Sequence, residues 1–172
     1  PVGTGLVDSL ARPGGNMTGV TTVSGEMSGK RLELMKEALP TVTRVAVLWH
    51  ASNFGAAAVL KDIELASPRL GLQIQNVGVP SPNEIRSAFE AATRQRAGAL
   101  VLIDDLLMSS HRGRILELAR KNRLPVISIY SDFAEAGGLL AYGPKASDTY
   151  QRAAHLIGRI LKGVKPGDLP VE

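Results

Sequence analysis

Short apolar runs alternate with longer amphipathic stretches along residues 44–142. Runs rich in β-branched residues at 45–49, 72–79, 99–103, 125–129 and 139–142 predict five strands. Apolar residues recur every three or four positions at 54–70, 82–94, 109–122 and 132–136, which predicts helices there. This alternation is typical of an α/β fold, with a doubly wound, mainly parallel five-stranded sheet. Right-handed crossovers favour the strand order 2-1-3-4-5.

The segments that flank this unit also have a periodic pattern. Ahead of it we predict a helix at 5–11, a turn at 12–16, a strand at 17–23 and a helix at 27–39. After it, a helix is predicted at 146–161. That last helix has an apolar stripe that needs a partner surface: Tyr150, Ala153, Ala154, Ile157, Ile160 and Leu161.

Composition narrows the function classes. The chain has 172 residues, is 44% hydrophobic, and carries a formal charge of +4 that is spread along its length. Only 4% of the residues are aromatic, and no basic run is interleaved with Phe or Tyr. Because proteins that bind single strands combine basic grooves with stacking aromatics, we expect no nucleic-acid partner.

Catalytic and cofactor signals are weak. The chain has no cysteine, which excludes disulfides, thiolate metal sites and cysteine nucleophiles. His50, His111 and His155 lie in three unrelated contexts, so no histidine-based metal cluster is expected. The glycine pairs lack a nucleotide-binding frame, and no G-x-S-x-G elbow occurs. We therefore predict no catalytic residue, metal or cofactor, and an enzyme of flavodoxin-like fold remains a third-ranked alternative.

Polar residues follow three of the predicted strands, at the edge where open parallel sheets bind ligands. Each has a simpler interpretation as a helix cap, for which Ser131 is the natural candidate in the third loop. Exposed N–H groups after the first strand would face an anion such as a carboxylate, and the acids would bind an ammonium group beside a ring. The candidate ligand-binding residues are Ser52, Asn53, Asp104, Asp105, Tyr130 and Asp132.

Several segments resemble one family. They are SLARPGGNMTGV at 9–20, KRLELMKEALP at 30–40, RVAVLW at 44–49, AGGLLAYG at 136–143 and ILKGVKPGDLPVE at 160–172. Together they resemble the ABC-importer substrate-binding proteins that include tryptophan- and tyrosine-type binders, with a type I periplasmic binding protein fold. The resemblance implies two α/β lobes with a small solute in the cleft between them, and a polar or acidic residue at the Asp132 loop.

This resemblance also suggests a domain organisation. Residues 1–23 would be a first-lobe remnant, 24–137 the complete second lobe, and 138–172 a return crossover with a first-lobe helix. The chain starts at Pro1 without an initiator Met, so we expect a signal peptide to lie outside it. The resemblance implies that much of the first lobe lies outside it as well. Solute binding by this chain alone would then be weak.

The functional prediction is a periplasmic or extracytoplasmic solute-binding component of an ABC importer. It would bind a small polar solute, such as an amino acid or related carboxylate, and deliver it to a membrane permease. The alternative is an effector-sensing domain of a transcriptional regulator or signalling protein with the same fold. The apolar stripe on the last helix further predicts that the chain self-associates as a homodimer.

Overall fold

A computed structural model describes Val2 and residues 5–21 and 24–172, with the backbone alone at 24–26 and 146. Five strands form one sheet: β1 (Arg44–His50), β2 (Gln73–Val79), β3 (Ala99–Leu102), β4 (Val126–Ser128) and β5 (Leu140–Ala141). Every neighbouring pair is parallel, and the order is β2-β1-β3-β4-β5. The predicted fold class and strand order are confirmed.

The described helices lie close to the predicted ranges. They are α1 (Ser24–Ala38), α2 (Phe54–Ala66), α3 (Ile85–Arg94), α4 (Leu106–Ser110), α5 (Arg112–Lys121), α6 (Ser131–Glu135) and α7 (Ala146–Leu161). Short 3-10 turns occupy Ser67–Leu70, Pro82–Glu84 and Pro166–Asp168. The single helix predicted at 109–122 is wrong, because the helical run starts earlier and breaks at His111, which has φ −108° and ψ 17°.

Apolar side chains alternate across β1, so the sheet has a core on each face. Val45 and Val47 pack on one side with α1 and α2, which contribute Leu32, Met35, Leu60 and Ile63. Ala46 and Leu48 pack on the other side with α3 and α5, which contribute Ile85, Phe89, Ile115 and Ala119. Burial on both faces explains why β1 reads as a continuous apolar run.

The Trp49 side chain lies across the β1–β2 pair. Its Nε1 donates a hydrogen bond of 2.7 Å to Oδ1 of Asn76. Trp49 is paired with Gly78 in the parallel register. A Cβ atom at Gly78 would lie 3.1 Å from the indole ring. The absence of a side chain at position 78 therefore makes room for the indole.

Contacts divide the chain into two compact units, Ser24–Gly143 and the terminal segments Pro1–Val23 with Pro144–Glu172. The first contains the whole sheet with α1 to α6, and the second contains α7. Assignment of these units to a second lobe and to parts of a first lobe stays a prediction. Within the described residues, no helix is both long enough and apolar enough to cross a membrane.

The helix predicted at 5–11 and the strand predicted at 17–23 are wrong where they can be compared. Residues 5–11 form bends and turns, and residues 17–21 form no strand; residues 22–23 lie outside the described residues. This segment instead pairs with the carboxyl-terminal tail: Val171 N donates to Leu10 O at 2.7 Å, and Glu172 N donates to Gly19 O at 3.0 Å. A pairing between residues this far apart in sequence overrides the local periodicity.

Candidate functional site

The polar residues predicted as ligand contacts lie at the carboxyl ends of β1, β3 and β4. Because neighbouring parallel strands end at the same edge, the loops after them meet there. Ser52 and Asn53 precede α2, Asp104 and Asp105 precede α4, and Tyr130 precedes α6 with Asp132 in its first turn. The structure joins some of these residues by direct contacts, and Ser52 is exposed.

Asp105 connects two of the loops and also caps a helix. Its Oδ1 accepts from Met108 N at 2.9 Å, which caps α4. Its Oδ2 lies 2.9 Å from His50 Nδ1 and accepts from Asn53 Nδ2 at 3.2 Å. Asn53 in turn caps α2, because its Oδ1 accepts from Gly55 N and Ala56 N. The capping interpretation is confirmed for both residues, and the role of His50 was missed in the sequence.

Asp104 is a partly buried carboxylate at the end of β3. It accepts from Ile129 N at 2.9 Å and from Ser128 Oγ at 3.0 Å. Burial raises the pKa of Asp104 to about 6, and the nearby charge of Asp132 adds to the rise. The two hydrogen bonds and the charge of Arg31 act in the opposite direction. Asp104 is therefore not a helix cap, and two opposing carboxylates lie at this edge.

Arg31 of α1 is a buried cation beside this edge, and sequence analysis did not identify it. Its side chain is only 2% exposed and donates to Ser28 Oγ at 3.0 Å. Burial lowers the pKa of its guanidinium, and the charge of Asp104 counters that effect. Ser28, Arg31, Leu32 and Met35 follow helical spacing on one buried face. That spacing is the signal from which the burial of Arg31 could have been read.

Asp132 has one satisfied oxygen and one that accepts nothing. Its Oδ2 is paired with Arg112 Nη1 of α5. Its Oδ1 is buried and has no hydrogen-bond partner among the described residues. Ser131 makes no side-chain cap, so the expected capping role of that residue is wrong. A buried acceptor without a donor is uncommon in folded proteins and marks a place where a donor is missing.

The chemistry of this edge is that of a hydrogen-bond acceptor. Asp104 and Asp132 offer carboxylate oxygens to a donor, and Arg31 and Arg112 balance part of their charge. Among the described residues, no group of three or more His, Cys, Asp or Glu side chains is arranged to hold a metal ion. The arrangement suits a ligand that donates hydrogen bonds and carries positive charge.

The sheet order and the structural neighbours define the class of protein, an α/β lobe of the type I periplasmic binding protein fold. The chain belongs to the ABC transporter substrate-binding protein family, whose sequence model matches residues 1–172. This is a family of binding proteins, and the prediction that the chain is not an enzyme is confirmed on that ground.

Two relatives carry names that state a ligand. A tyrosine-binding protein of Clostridioides difficile (strain R20291) is 25% identical over 171 residues, which are 99% of this chain and 49% of that protein. The structure of an ABC domain in complex with L-Trp from Streptococcus pneumonia has a TM-score of 0.87 at 27% identity, over 100% of this chain and 59% of that one. The chain thus spans about half the length of the relatives it matches.

Regulators also share the fold. A LacI family transcriptional regulator from Bifidobacterium animalis subsp. lactis matches 90% of this chain and 58% of its own, with a TM-score of 0.62 at 14% identity. At that identity the likeness concerns the fold alone.

Proposed function

We propose that this chain binds a small solute with an ammonium group, such as an amino acid, at the carboxyl edge of its sheet. The observation that carries the proposal is the buried Oδ1 of Asp132, which has no donor among the described residues. An ammonium group supplies up to three donors. Placed between Asp132 and Asp104, it would satisfy that oxygen and offset the repulsion between the two carboxylates.

The remaining candidate residues would form the wall around the ammonium group. Asn53, His50 and Asp105 hold one another at fixed hydrogen-bond distances, so they form a rigid polar corner beside Asp104. Tyr130, at the start of α6, would flank the body of the solute. Ser52 is a peripheral contact in this proposal.

Family membership supports a transport role. ABC transporter substrate-binding proteins present a solute to a membrane permease, so we propose an extracytoplasmic receptor with an ABC permease as its partner. The effector-sensing alternative shares the fold. Permease and ATPase genes beside the gene for this chain would support transport, and a fused helix-turn-helix segment would support regulation.

Calorimetry with four ligands tests the site. L-tryptophan and L-tyrosine are chosen because two relatives are named for these ligands. Tryptamine keeps the ammonium group without the carboxylate, and indole-3-propionate keeps the carboxylate without the ammonium group. We expect Asp132→Asn and Asp104→Asn each to weaken binding of the ammonium-bearing ligands by about tenfold, since each removes a charge-assisted hydrogen bond.

Glu64→Gln is the matched control, because Glu64 is an exposed carboxylate on α2. It should leave every affinity unchanged. Indole-3-propionate binding as tightly as L-tryptophan would show that the ammonium group is not recognised, and would contradict the proposal.

A further inference from the structure

Five basic residues lie at the opposite, amino edge of the sheet, where the chain turns from α3 into β3 and from α5 into β4. Thr93 Oγ1 donates to Asn122 Oδ1 at 3.2 Å, which brings the ends of the two helices together. All five side chains are exposed, and none forms an ion pair with another described residue. We call this group the basic edge: Arg94, Arg96, Arg120, Lys121 and Arg123.

Helix electrostatics explains only part of the basic edge. Arg94, Arg120 and Lys121 lie in the last turns of α3 and α5, where a cation offsets the negative end of the helix dipole. Arg96 and Arg123 lie beyond the helix ends, so this account does not cover them.

The backbone at these two arginines is unusual. Arg96 has φ 59° and Arg123 has φ 55°, and no other non-glycine residue in the described part of the chain has a positive φ. Both positions close a helix: Ala97 N donates to Ala92 O, and Leu124 N donates to Ala119 O. Glycine usually occupies such a position because a Cβ is disfavoured there.

Two other turns at this edge have a glycine at positive φ. Gly71 precedes β2 with φ 65°, and Gly137 precedes β5 with φ 111°. The turns into β3 and β4 therefore carry arginine at positive φ, where the turns into β2 and β5 have glycine. Strained positions of this kind are associated with function.

A recess lies beside the basic edge. A cavity of about 530 Å³ lies at the end of α5 and the start of β4, at the edge of the sheet opposite the candidate solute site. Its charged lining consists of two cations, Arg120 and Arg123, and one acid, Glu117. Its apolar floor includes Leu116, Leu124, Pro125 and Val126. Unpaired cations around an apolar recess are complementary to carboxylates that flank an apolar side chain.

We propose that the basic edge is a docking surface for an acidic polypeptide segment, which inserts an apolar side chain into the recess and pairs its carboxylates with the five cations. The recess favours a polypeptide over a flat membrane surface, because a membrane would contact the cations without filling the cavity. The surface is separate from the solute site, so the proposal does not depend on the proposed function.

The test measures the fluorescence anisotropy of a labelled peptide of alternating glutamate and leucine residues. A second labelled peptide, in which glutamine replaces glutamate, is the uncharged control. We expect the protein to bind only the glutamate peptide, and to bind it less tightly as salt rises. Vesicles of phosphatidylglycerol are the second probe. Vesicle binding without peptide binding, or equal binding of the two peptides, overturns the proposal.

The double variant R96G/R123G separates docking from folding. Glycine relieves the backbone at both positions, so the unfolding midpoint should equal or exceed that of the parent, while peptide affinity should fall by about tenfold. R96Q/R123Q should lose affinity without that relief. The control K61Q removes an exposed charge on α2, which packs on the other face of the sheet from α3 and α5, and it should keep full affinity. Full affinity in R96G/R123G would overturn the proposal.

Discussion

Asp104 links the candidate site to the stability of the fold. Burial raises the pKa of Asp104 to about 6 in the folded protein, above its ordinary value of 3.8. Protonated Asp104 therefore favours folding fully below pH 3.8, and this contribution is lost as the pH rises through about 6. At neutral pH the ionised group costs on the order of 3 kcal/mol.

We predict that Asp104→Asn is more stable than the parent at pH 7.5 and nearly equal to it at pH 4. The amide oxygen can still accept from Ile129 N, while the cost of burying a charge is removed. Urea unfolding at the two pH values measures the difference. Glu64→Gln should change the free energy of unfolding by less than about 0.5 kcal/mol at both, as is usual for exposed positions. A stability difference for Asp104→Asn that does not change with pH would contradict the assignment.

The sequence predicted the location of the candidate site better than it predicted the role of each residue in it. The end of each apolar run indicated the loops with Asn53, Asp105 and Asp132, because parallel strands share one carboxyl edge. The role of each carboxylate depends on three-dimensional contacts. Asp105 is held by His50, Asn53 and Met108, whereas Oδ1 of Asp132 has no hydrogen-bond partner among the described residues. Nothing in local sequence distinguishes these two carboxylates.

At the scale of elements, the turn between α6 and β5 depends on a glycine. Gly138 N donates to Phe133 O at 2.8 Å, and a Cβ at Gly138 would also lie 2.8 Å from that oxygen. Gly113 in α5 has no atom within 4 Å of its potential Cβ. The two positions form a matched pair for the same substitution.

We predict opposite effects of alanine at these positions. Gly138→Ala should lower the free energy of unfolding by about 1–3 kcal/mol, because the backbone of Phe133 has to move. Gly113→Ala should raise it by roughly 0.5–1 kcal/mol, since alanine is the better helix former. Chemical denaturation of both variants provides the comparison, and loss of stability in Gly113→Ala would contradict the prediction.

The elements that were predicted correctly are those whose own sequence contains the whole apolar pattern. β1 and β3 are apolar runs buried on both faces, and α7 has the length that its stripe predicts. The helix and strand predicted within residues 5–21 are wrong because this segment pairs with the carboxyl-terminal tail, about 150 positions away. Its hydrogen-bond partners there are Leu169, Pro170, Val171 and Glu172. Apolar periodicity in one segment does not report a pairing with a distant one.

At the scale of the whole molecule, α7 carries apolar surface. Tyr150, Ile157 and Leu161 are 74%, 57% and 82% exposed, whereas Leu156 between them is buried. Leu6 and Leu10 of the amino-terminal segment are also exposed. Contiguous apolar surface of this kind usually marks an interface.

We predict that the chain forms a homodimer through α7. Light scattering over a concentration series should show association that Ile157→Glu weakens, because a charge would be buried without a partner. Gln151→Glu introduces the same charge at an exposed polar position of α7 and should leave association unchanged. A species of 18.2 kDa that persists at high concentration would rule out the dimer.

Trp49 is an intrinsic fluorescence probe of the sheet. It is the single tryptophan of the chain, its indole lies against Gly78, and its N–H is bonded to Asn76. Its fluorescence emission should therefore shift to longer wavelength when β1 and β2 separate and water reaches the ring. Position 50, the next residue, belongs to the candidate site. Binding of L-tyrosine could therefore be followed through Trp49 fluorescence without a label, because L-tyrosine does not emit in the tryptophan window.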